Sequence, residues 1–481
     1  MFGMKKNRSV FISGGGPAGL AAALLFDQLG WDEVVLAERR ASPSDFEKNK
    51  SFNYLVDKRG QRLLDRIGLL DRLPEKGVAT QEFVATTVSP DGKAKTEKVP
   101  IIDPNRPVAY WTTRRALLAM LFKGVEQKAS ARTQVLYGHS VDTIQRDAGG
   151  KVEIAISDQS GAVKAFSPDL VLACDGLNSV IRSSLSSQPD VPDGYFDMIE
   201  GDSISAGLRY KVLNLPARFE TTNGEVKLHD NGMSYIIPSI HKDQGKACTL
   251  FAFPVVDPSH PRSVNLIRET DHTLWQIRDT EELYEFLEES FPQLNIRELV
   301  PEEEAKDFVT LEAGAFPQPQ YAKNLHTSIG PEHSPTEFVL IGDAAHAFPP
   351  DLGLGVNSAL EDLDVLARHF EAHDDIGDAA RSYAKERWPE ARDLAWVVEK
   401  FFPEQYNHRP WKLKIWALGF IVRKLLNNVA PSLFDKPAFF LSQDPDMSFG
   451  EMKKRKLRTD FRVRALGIGI VAMLAGLVVA T

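Results

Sequence analysis

The sequence predicts an α/β fold with a second, β-rich lobe and a helical C-terminal part. Three observations predict it. A short apolar strand over 9–13 runs into Gly14-Gly15-Gly16-Pro17-Ala18-Gly19 and then into an Ala/Leu-rich helix. Two later runs, 170–173 and 338–341, are apolar without alternation, as strands covered on both faces are, and each is followed closely by an Asp-Gly or Gly-Asp pair. Between these two runs, several stretches of 200–260 read as strands with turn residues between them.

The composition sets the outer limits. A chain of 481 residues is long enough for two or three lobes. With 43% hydrophobic and 26% charged residues it reads as globular. A formal net charge of -9 argues against a nucleic-acid partner. Two cysteines, Cys174 and Cys248, cannot make a disulfide framework or a cysteine zinc site, and no metal site is expected. The basic stretch 1–8 is not a secretory signal, because the apolar run after it breaks at once into glycines.

In chain order, 9–38 reads as a βαβ unit: strand 9–13, helix 18–29, and strand 33–37 ending at Glu38. Residues 51–73 read as helical, with Leu63, Leu64, Ile67 and Leu70 on one face. Residues 78–110 hold β-like patches, and 113–125 is a helix. The alternation over 133–173 predicts an antiparallel excursion that closes on the buried strand 170–173. Strands are expected at 208–213, 234–238 and 247–253, and helices at 280–291, 356–371 and 378–402. The segment 409–430 is rich in Trp, Leu and Ile with interspersed Lys and Arg.

The glycine turn carries the first chemical signal. Gly14 allows a tight turn, Gly16 lets backbone approach a pyrophosphate, and Gly19 lets the helix pack close to the sheet. The phosphate then faces the free N–H groups of the helix N-terminus. Glu38 ends the second strand, 19 residues after Gly19, where a carboxylate accepts from ribose hydroxyls. These residues indicate a dinucleotide without separating FAD from NAD. Two later motifs do separate them. Asp175-Gly176-Leu177-Asn178-Ser179-Val180-Ile181-Arg182 follows one buried strand. Gly342-Asp343-Ala344-Ala345-His346 follows another and leads through Pro350, Gly353 and Gly355 to Val356 and Asn357 at a helix start. Asp343 can hold a ribitol hydroxyl, and the helix start can face the flavin pyrimidine edge, whose charge grows on reduction. His346 is a candidate general acid or base, with packing inside the loop as the alternative.

Together the three motifs resemble the class A flavoprotein monooxygenases, the group of para-hydroxybenzoate hydroxylase, and within it the kynurenine 3-monooxygenases. Further likeness lies in Lys50-Ser51-Phe52-Asn53-Tyr54-Leu55 with Arg59-Gly60, in 342–362, and in the basic, apolar C-terminal end. The resemblance implies a Rossmann-like FAD-binding domain with a β-sheet substrate domain. It implies FAD as cofactor, NAD(P)H as co-substrate, and O2 with a small molecule as partners. The oxygen passes to an aromatic or apolar substrate through a flavin C4a-hydroperoxide. It places Arg114 among the FAD contacts, Asp175 and Gly176 at the pyrophosphate and nicotinamide nucleotide, and Pro350 facing the flavin peroxide.

The implied layout is an FAD-binding domain at 1–185 with a β-rich excursion at 78–110, a substrate-binding sheet domain at 186–330, a return to the FAD domain at 331–375, and helices at 376–452. In kynurenine hydroxylases an Arg and a Tyr hold the substrate carboxylate. Here the counted positions are Phe83 and Ile102, with Arg106 or Tyr110 as possible substitutes. Kynurenine is therefore not the expected substrate. Two other functions fit the motifs: a flavin-dependent reductase or desaturase of an isoprenoid-like lipid, and a non-enzymatic tethered flavoprotein.

Residues 465–480 carry no charge, and seven basic residues lie in 453–464 just before them. This pattern predicts a basic juxtamembrane segment followed by a transmembrane tail at 465–481, with the catalytic part facing the cytoplasm and a buried C-terminal helix as the alternative. The resemblance implies an organelle outer membrane.

Overall fold

The computed structural model describes residues 8–45, 53–403, 406 and 410–480. Ser9–Ser13, Leu170–Ala173 and Thr336–Leu340 lie inside a six-stranded sheet. Glu33–Glu38 and then Thr133–Tyr137 extend it on one side, and His326–Ile329 closes the other. Pairing is parallel except at the His326–Ile329 edge. Ser13 lies opposite Ala173 and Ala37, and Ala173 lies opposite Leu340. Four strands therefore end at one level, so the loops that follow them meet.

The helix Pro17–Gln28 has Pro at its first turn, where a missing N–H costs nothing. Its Ala and Leu residues are buried almost throughout. Phe26 meets Trp31 and Phe370 edge to face at 5.0 and 5.5 Å, which pins the helix Gly355–Ala372 against it. The helix Lys58–Arg66 approaches the same partner through Gly60. A methyl group there would stand 2.7 Å from Asn357 Oδ1.

Several elements differ from the sequence expectation, most of them because pairing is non-local. Asn53–Val56 is a strand rather than the start of a helix. It pairs with Ala109–Thr113, and Asp57 then caps the shorter helix by accepting from Arg59 N at 2.8 Å. Leu69 is buried in place of Leu70, since the helix has already ended. Thr133–Tyr137 belongs to the parallel sheet, and only the strands over 139–166 make the antiparallel excursion. Lys50, Ser51 and Phe52 lie outside the described residues.

The second sheet has seven strands. In order they are Gly314–Ala315, Arg209–Leu215, Arg262–Arg268, Thr249–Ala252, Ser234–Pro238, Val84–Val88 and Ala94–Lys98. The last two come from the 78–110 excursion, and Val84–Val88 pairs in parallel with Ser234–Pro238. The Arg262–Arg268 strand escaped the sequence reading because two charged ends flank its apolar residues. The C-terminal part contains the helices Ile376–Phe401, Pro410–Val429 and Phe449–Ala480. Among the described residues, no helix is long and apolar enough to cross a membrane. Most side chains of 465–480 lie outside the described ones. The basic segment 453–464 packs on the body: Lys453 pairs with Asp393 at 2.7 Å, Arg458 with Asp435 at 2.8 Å, and Asp460 with Arg423 at 2.8 Å.

Arg262 organises the second sheet from inside. Its guanidinium is fully buried and donates to the carbonyls of Met233 and Phe253 at 2.7 Å, Asp230 at 3.0 Å and Ala217 at 3.2 Å. Burial pulls its pKa down to about 10. Arg262→Met would leave these carbonyls without donors in a dry core. A loss of about 3–5 kcal/mol is expected in urea denaturation, with Arg262→Lys recovering part of it.

Candidate cofactor and active site

The glycine turn sits where the first strand ends. Gly14 has φ +100°, and a Cβ on it would stand 2.6 Å from the Cys174 carbonyl oxygen. A Cβ on Gly19 would stand 1.8 Å from the Gly14 oxygen, so the helix could not pack this close with any other residue. Gly16 differs: a Cβ there meets nothing within 4 Å. That open space lies at a helix N-terminus with no side-chain cap, so its first N–H groups remain available to an anion.

Glu38 closes the turn. Its Oε2 accepts from Gly15 N at 2.5 Å, and its Oε1 accepts from Arg40 N and Nε, both at 2.9 Å. Arg40 Nη2 reaches the Gly15 carbonyl at 2.8 Å. Burial opposes the charge on Glu38, but Arg40 and Gly15 outweigh it and hold the carboxyl below its usual value. Three donors leave one lone-pair site for a ribose hydroxyl.

The Asp-Gly segment is tied to the Gly-Asp loop. Asp175 Oδ2 accepts from Ile181 N at 3.1 Å, and Gly176 has φ +80°. Ser179 caps the next helix by accepting from Arg182 N at 3.0 Å. Arg182 then donates to Leu177 O and to Ala344 O, both at 2.7 Å. Asp175 thus shapes its own turn, and Arg182 couples the two loops. Asp175 Oδ1 is buried without a hydrogen-bond partner.

Beneath the Gly-Asp loop lies a charged core that the sequence reading missed. Asp362 is fully buried on the helix Gly355–Ala372. Its Oδ2 accepts from Gly342 N at 2.9 Å and meets His346 Nε2 at 2.8 Å. Its Oδ1 accepts from Arg387 Nε at 2.8 Å, and Arg387 also reaches Glu361 and Ser358. Burial would raise the Asp362 pKa, but His346 and Arg387 reverse that and hold it low. His346 is buried and stacks on Phe348 with centroids 5.6 Å apart. Only the helical i, i+3/i+4 placement of Ser358, Glu361 and Asp362 could have signalled this cluster in the sequence.

Asp343 is open to solvent yet set deep among protein atoms, so it lines a crevice. Desolvation raises its pKa, while His346 and Arg114 pull the other way. Tyr54 shares this neighbourhood. Burial raises its hydroxyl pKa, Arg114 lowers it and Asp343 raises it. Arg114 begins the helix Arg114–Lys128, which Thr113 caps by accepting from Ala116 N at 3.1 Å. Downstream, Pro350 is exposed and Gly353 has φ +64°. Asp351, to which the sequence pattern assigns no role, is buried, and burial pushes it up to about 7. Asn357 fixes the loop: its Nδ2 donates to Leu55 O at 2.8 Å and Gly353 O at 3.0 Å, while its Oδ1 accepts from Asp57 N. Gly355 and Val356 start the helix with no side-chain cap, giving a second N-terminus for an anionic group.

Two uncapped helix starts, an ionised Glu38, a crevice aspartate and an open glycine cradle suit the pyrophosphate, ribose, ribitol and flavin of FAD. These features define an FAD-dependent oxidoreductase of the class A monooxygenase architecture. The FAD binding domain family model matches residues 7–207 and 271–401, and the chain belongs to that family. It is similar to the kynurenine 3-monooxygenase of Caenorhabditis elegans, 26% identical over 94% of this chain and 93% of the relative. The kynurenine 3-monooxygenase of Salinispora arenicola (strain CNS-205) is 25% identical over 97% of this chain and 94% of its own. Among solved structures, the tetrameric form of 2-methyl-3-hydroxypyridine-5-carboxylic acid oxygenase has TM-score 0.59 at 18% identity, covering 84% of this chain and 93% of that one. PqsL of P. aeruginosa in complex with 2-aminobenzoylacetate has TM-score 0.54 at 17% identity, covering 84% and 97%. The two structures share the fold.

Asp362→Asn should loosen the Gly342 and His346 contacts and weaken FAD retention, read as flavin lost on gel filtration. The Asp362 pKa is lowered by folding. Its stabilisation is therefore complete above the ordinary carboxylate value of 3.8 and is lost as pH falls through the lower folded value. The variant should lose stability at neutral pH, by about 3–5 kcal/mol, and should flatten this acid limb in pH-dependent denaturation.

Proposed function

We propose that the protein uses NAD(P)H and O2 to hydroxylate a neutral or weakly polar aromatic ring. Bound FAD supplies the electron transfer and oxygen activation. The protein's residues orient the ring and exclude water. One observation carries the reading: a chain of aromatic contacts leads away from the flavin loop. Leu55 approaches Gly353, with a Cβ on the glycine lying 3.9 Å from Leu55 Cβ. Leu55 pairs in register with Trp111. Trp111 meets Phe253 at 5.2 Å, Phe253 meets Phe251 at 4.6 Å, and Phe251 stacks on Phe83 at 6.1 Å. Such a surface favours a ring over an ion.

The same region argues against an amino-acid substrate. Phe83 belongs to the aromatic chain. Arg106 is buried, and it donates from Nε to Gln81 O at 2.9 Å and from Nη2 to Thr80 O at 3.4 Å. A carboxylate would enter without the paired cation its desolvation requires. In this reading His346 and Asp362 set the loop, and Pro350 faces the reacting edge of the flavin.

Steady-state NADPH and NADH oxidation in air, with product and peroxide measured in parallel, tests the reading. Neutral arenes and weakly acidic phenols should accelerate oxidation with about one O2 consumed per hydroxylated product. Kynurenine should give little or no coupled product. Tight, coupled hydroxylation of kynurenine would overturn the substrate assignment. Turnover of a candidate substrate without O2 consumption would overturn hydroxylation itself.

We also propose that residues 465–480 anchor the chain in a membrane. The run is uncharged, follows seven basic residues, and keeps a helical backbone to Ala480. The cut that tests this belongs after Arg464, because 453–464 is paired into the body. The shortened chain should keep its flavin and leave the membrane fraction on alkaline washing. A full-length chain recovered wholly outside that fraction would refute the anchor.

A further inference from the structure

The strand Arg262–Arg268 divides its side chains between the two faces of the second sheet. Val264 and Leu266 point into a core shared with Leu213, Leu250 and Ala252 of the neighbouring strands and with the helices Thr280–Ser290 and Glu302–Thr310. Ser263, Asn265 and Ile267 alternate with them and point the other way. On that face Asn265 lies opposite Phe251 and Val212, and Ile267 lies opposite Tyr210.

Two aromatic groups border Asn265. One is the run through Phe251, Phe253 and Trp111 that reaches Leu55 and the flavin loop. The other starts at Tyr210, which packs with Ile267 and stacks on Phe316 at 5.3 Å. Phe316 N donates to Leu208 O at 2.9 Å, and Gly207 N donates to Phe316 O at 3.0 Å. The same turn carries Ser203 and Ser205 beside Asp351 of the flavin loop. Both aromatic groups thus lead to the flavin loop, and Asn265 stands between them in the sheet.

Asn265 is half-buried, and its Oδ1 is withdrawn from solvent with no hydrogen-bond partner among the described residues. An unmet acceptor between apolar neighbours costs stability that an apolar residue of the same size would not. The strand offers this face no cation. Arg262 and Arg268 lie on the core side, where Arg262 is spent on carbonyls and Arg268 Nη2 donates to Gln244 O at 2.7 Å. A carboxylate brought against Asn265 would meet no opposite charge, and a carbonyl would leave Oδ1 unmet. A neutral O–H on the ring would satisfy it.

We propose that Asn265 selects the substrate by accepting a hydrogen bond from a neutral donor on the ring, a phenolic hydroxyl, at Oδ1. The inference rests on the neutral-ring reading of the site and adds the substituent that the ring carries.

The test titrates the flavin-loaded full-length chain with pairs of rings that differ only by hydroxyl for methyl: phenol and toluene, 4-ethylphenol and 4-ethyltoluene, 2-naphthol and 2-methylnaphthalene. Binding is read from the change in flavin absorbance. The unaltered chain should bind the hydroxyl member of a pair about tenfold more tightly than its methyl partner. Asn265→Leu should keep its flavin and lose that preference, with the hydroxyl ring weakened and the methyl ring held as tightly or more so. A purely structural role for Asn265 would move both members of a pair together. If Asn265→Leu fails to fold, Asn265→Val makes the same comparison in a residue suited to a strand. A hydroxyl preference that survives both substitutions, with both rings still bound, would overturn the role of Asn265 and leave the neutral-ring reading standing. Failure of every ring to bind the unaltered chain would overturn that reading and this inference with it.

Discussion

The register of three adjacent parallel strands governs everything else in this protein. Ser13, Ala173 and Leu340 stand side by side although they are separated by more than three hundred residues of chain. A strand that slipped by one residue would turn its buried side chains to the opposite face and shift its loop along the sheet edge. Because all three strands are apolar on both faces, the hydrophobic effect fixes them in the core. Their loops then have one place to meet. The glycine turn, the Asp-Gly segment and the Gly-Asp loop form a single site for that reason.

Around the meeting point, polar atoms lock one loop to the next. Arg182 binds Ala344, Asp362 binds Gly342, and Asn357 binds Leu55, Asp57 and Gly353. None of these partners is near in sequence except Gly353. Each contact is made in a buried or half-buried place, where an unmet hydrogen bond is costly. The chain's own hydrogen bonds therefore tie the loops to one another, and a site held in this way loses little ordering entropy on binding. Asp362 illustrates the balance. Its charge survives burial because Arg387 and His346 flank it.

The second sheet meets the first through a short shared element. Asn53–Val56 and Ala109–Thr113 pair with each other, carry the Asn357 contact on one side, and present Trp111 to Phe253 on the other. Arg262 keeps the second sheet rigid by satisfying carbonyls from separate segments with one guanidinium, which its planar fork of donors allows. The aromatic chain is thus backed by a fixed surface.

The sequence by itself determined the ingredients of the candidate cofactor site: Gly14, Gly16, Gly19 and Glu38 at βαβ spacing, Asp343 after a buried strand, and a helix opening at Gly355. These were legible because each depends on local backbone geometry and on near neighbours in the chain. Most helices were legible for the same reason, since apolar spacing and capping residues are local. The tertiary structure alone decided the strand Asn53–Val56, the place of Thr133–Tyr137 in the parallel sheet, and the transfer of Val84–Val88 to the second sheet. Each is stabilised by hydrogen bonds to a segment remote in sequence. It alone revealed Asp362 and Arg387, because two charges inside a helical pattern look like solvated surface until their helices pack face to face. It also turned Arg106 onto backbone carbonyls. A residue's type states which interactions it can make, and only the packed chain supplies the partner.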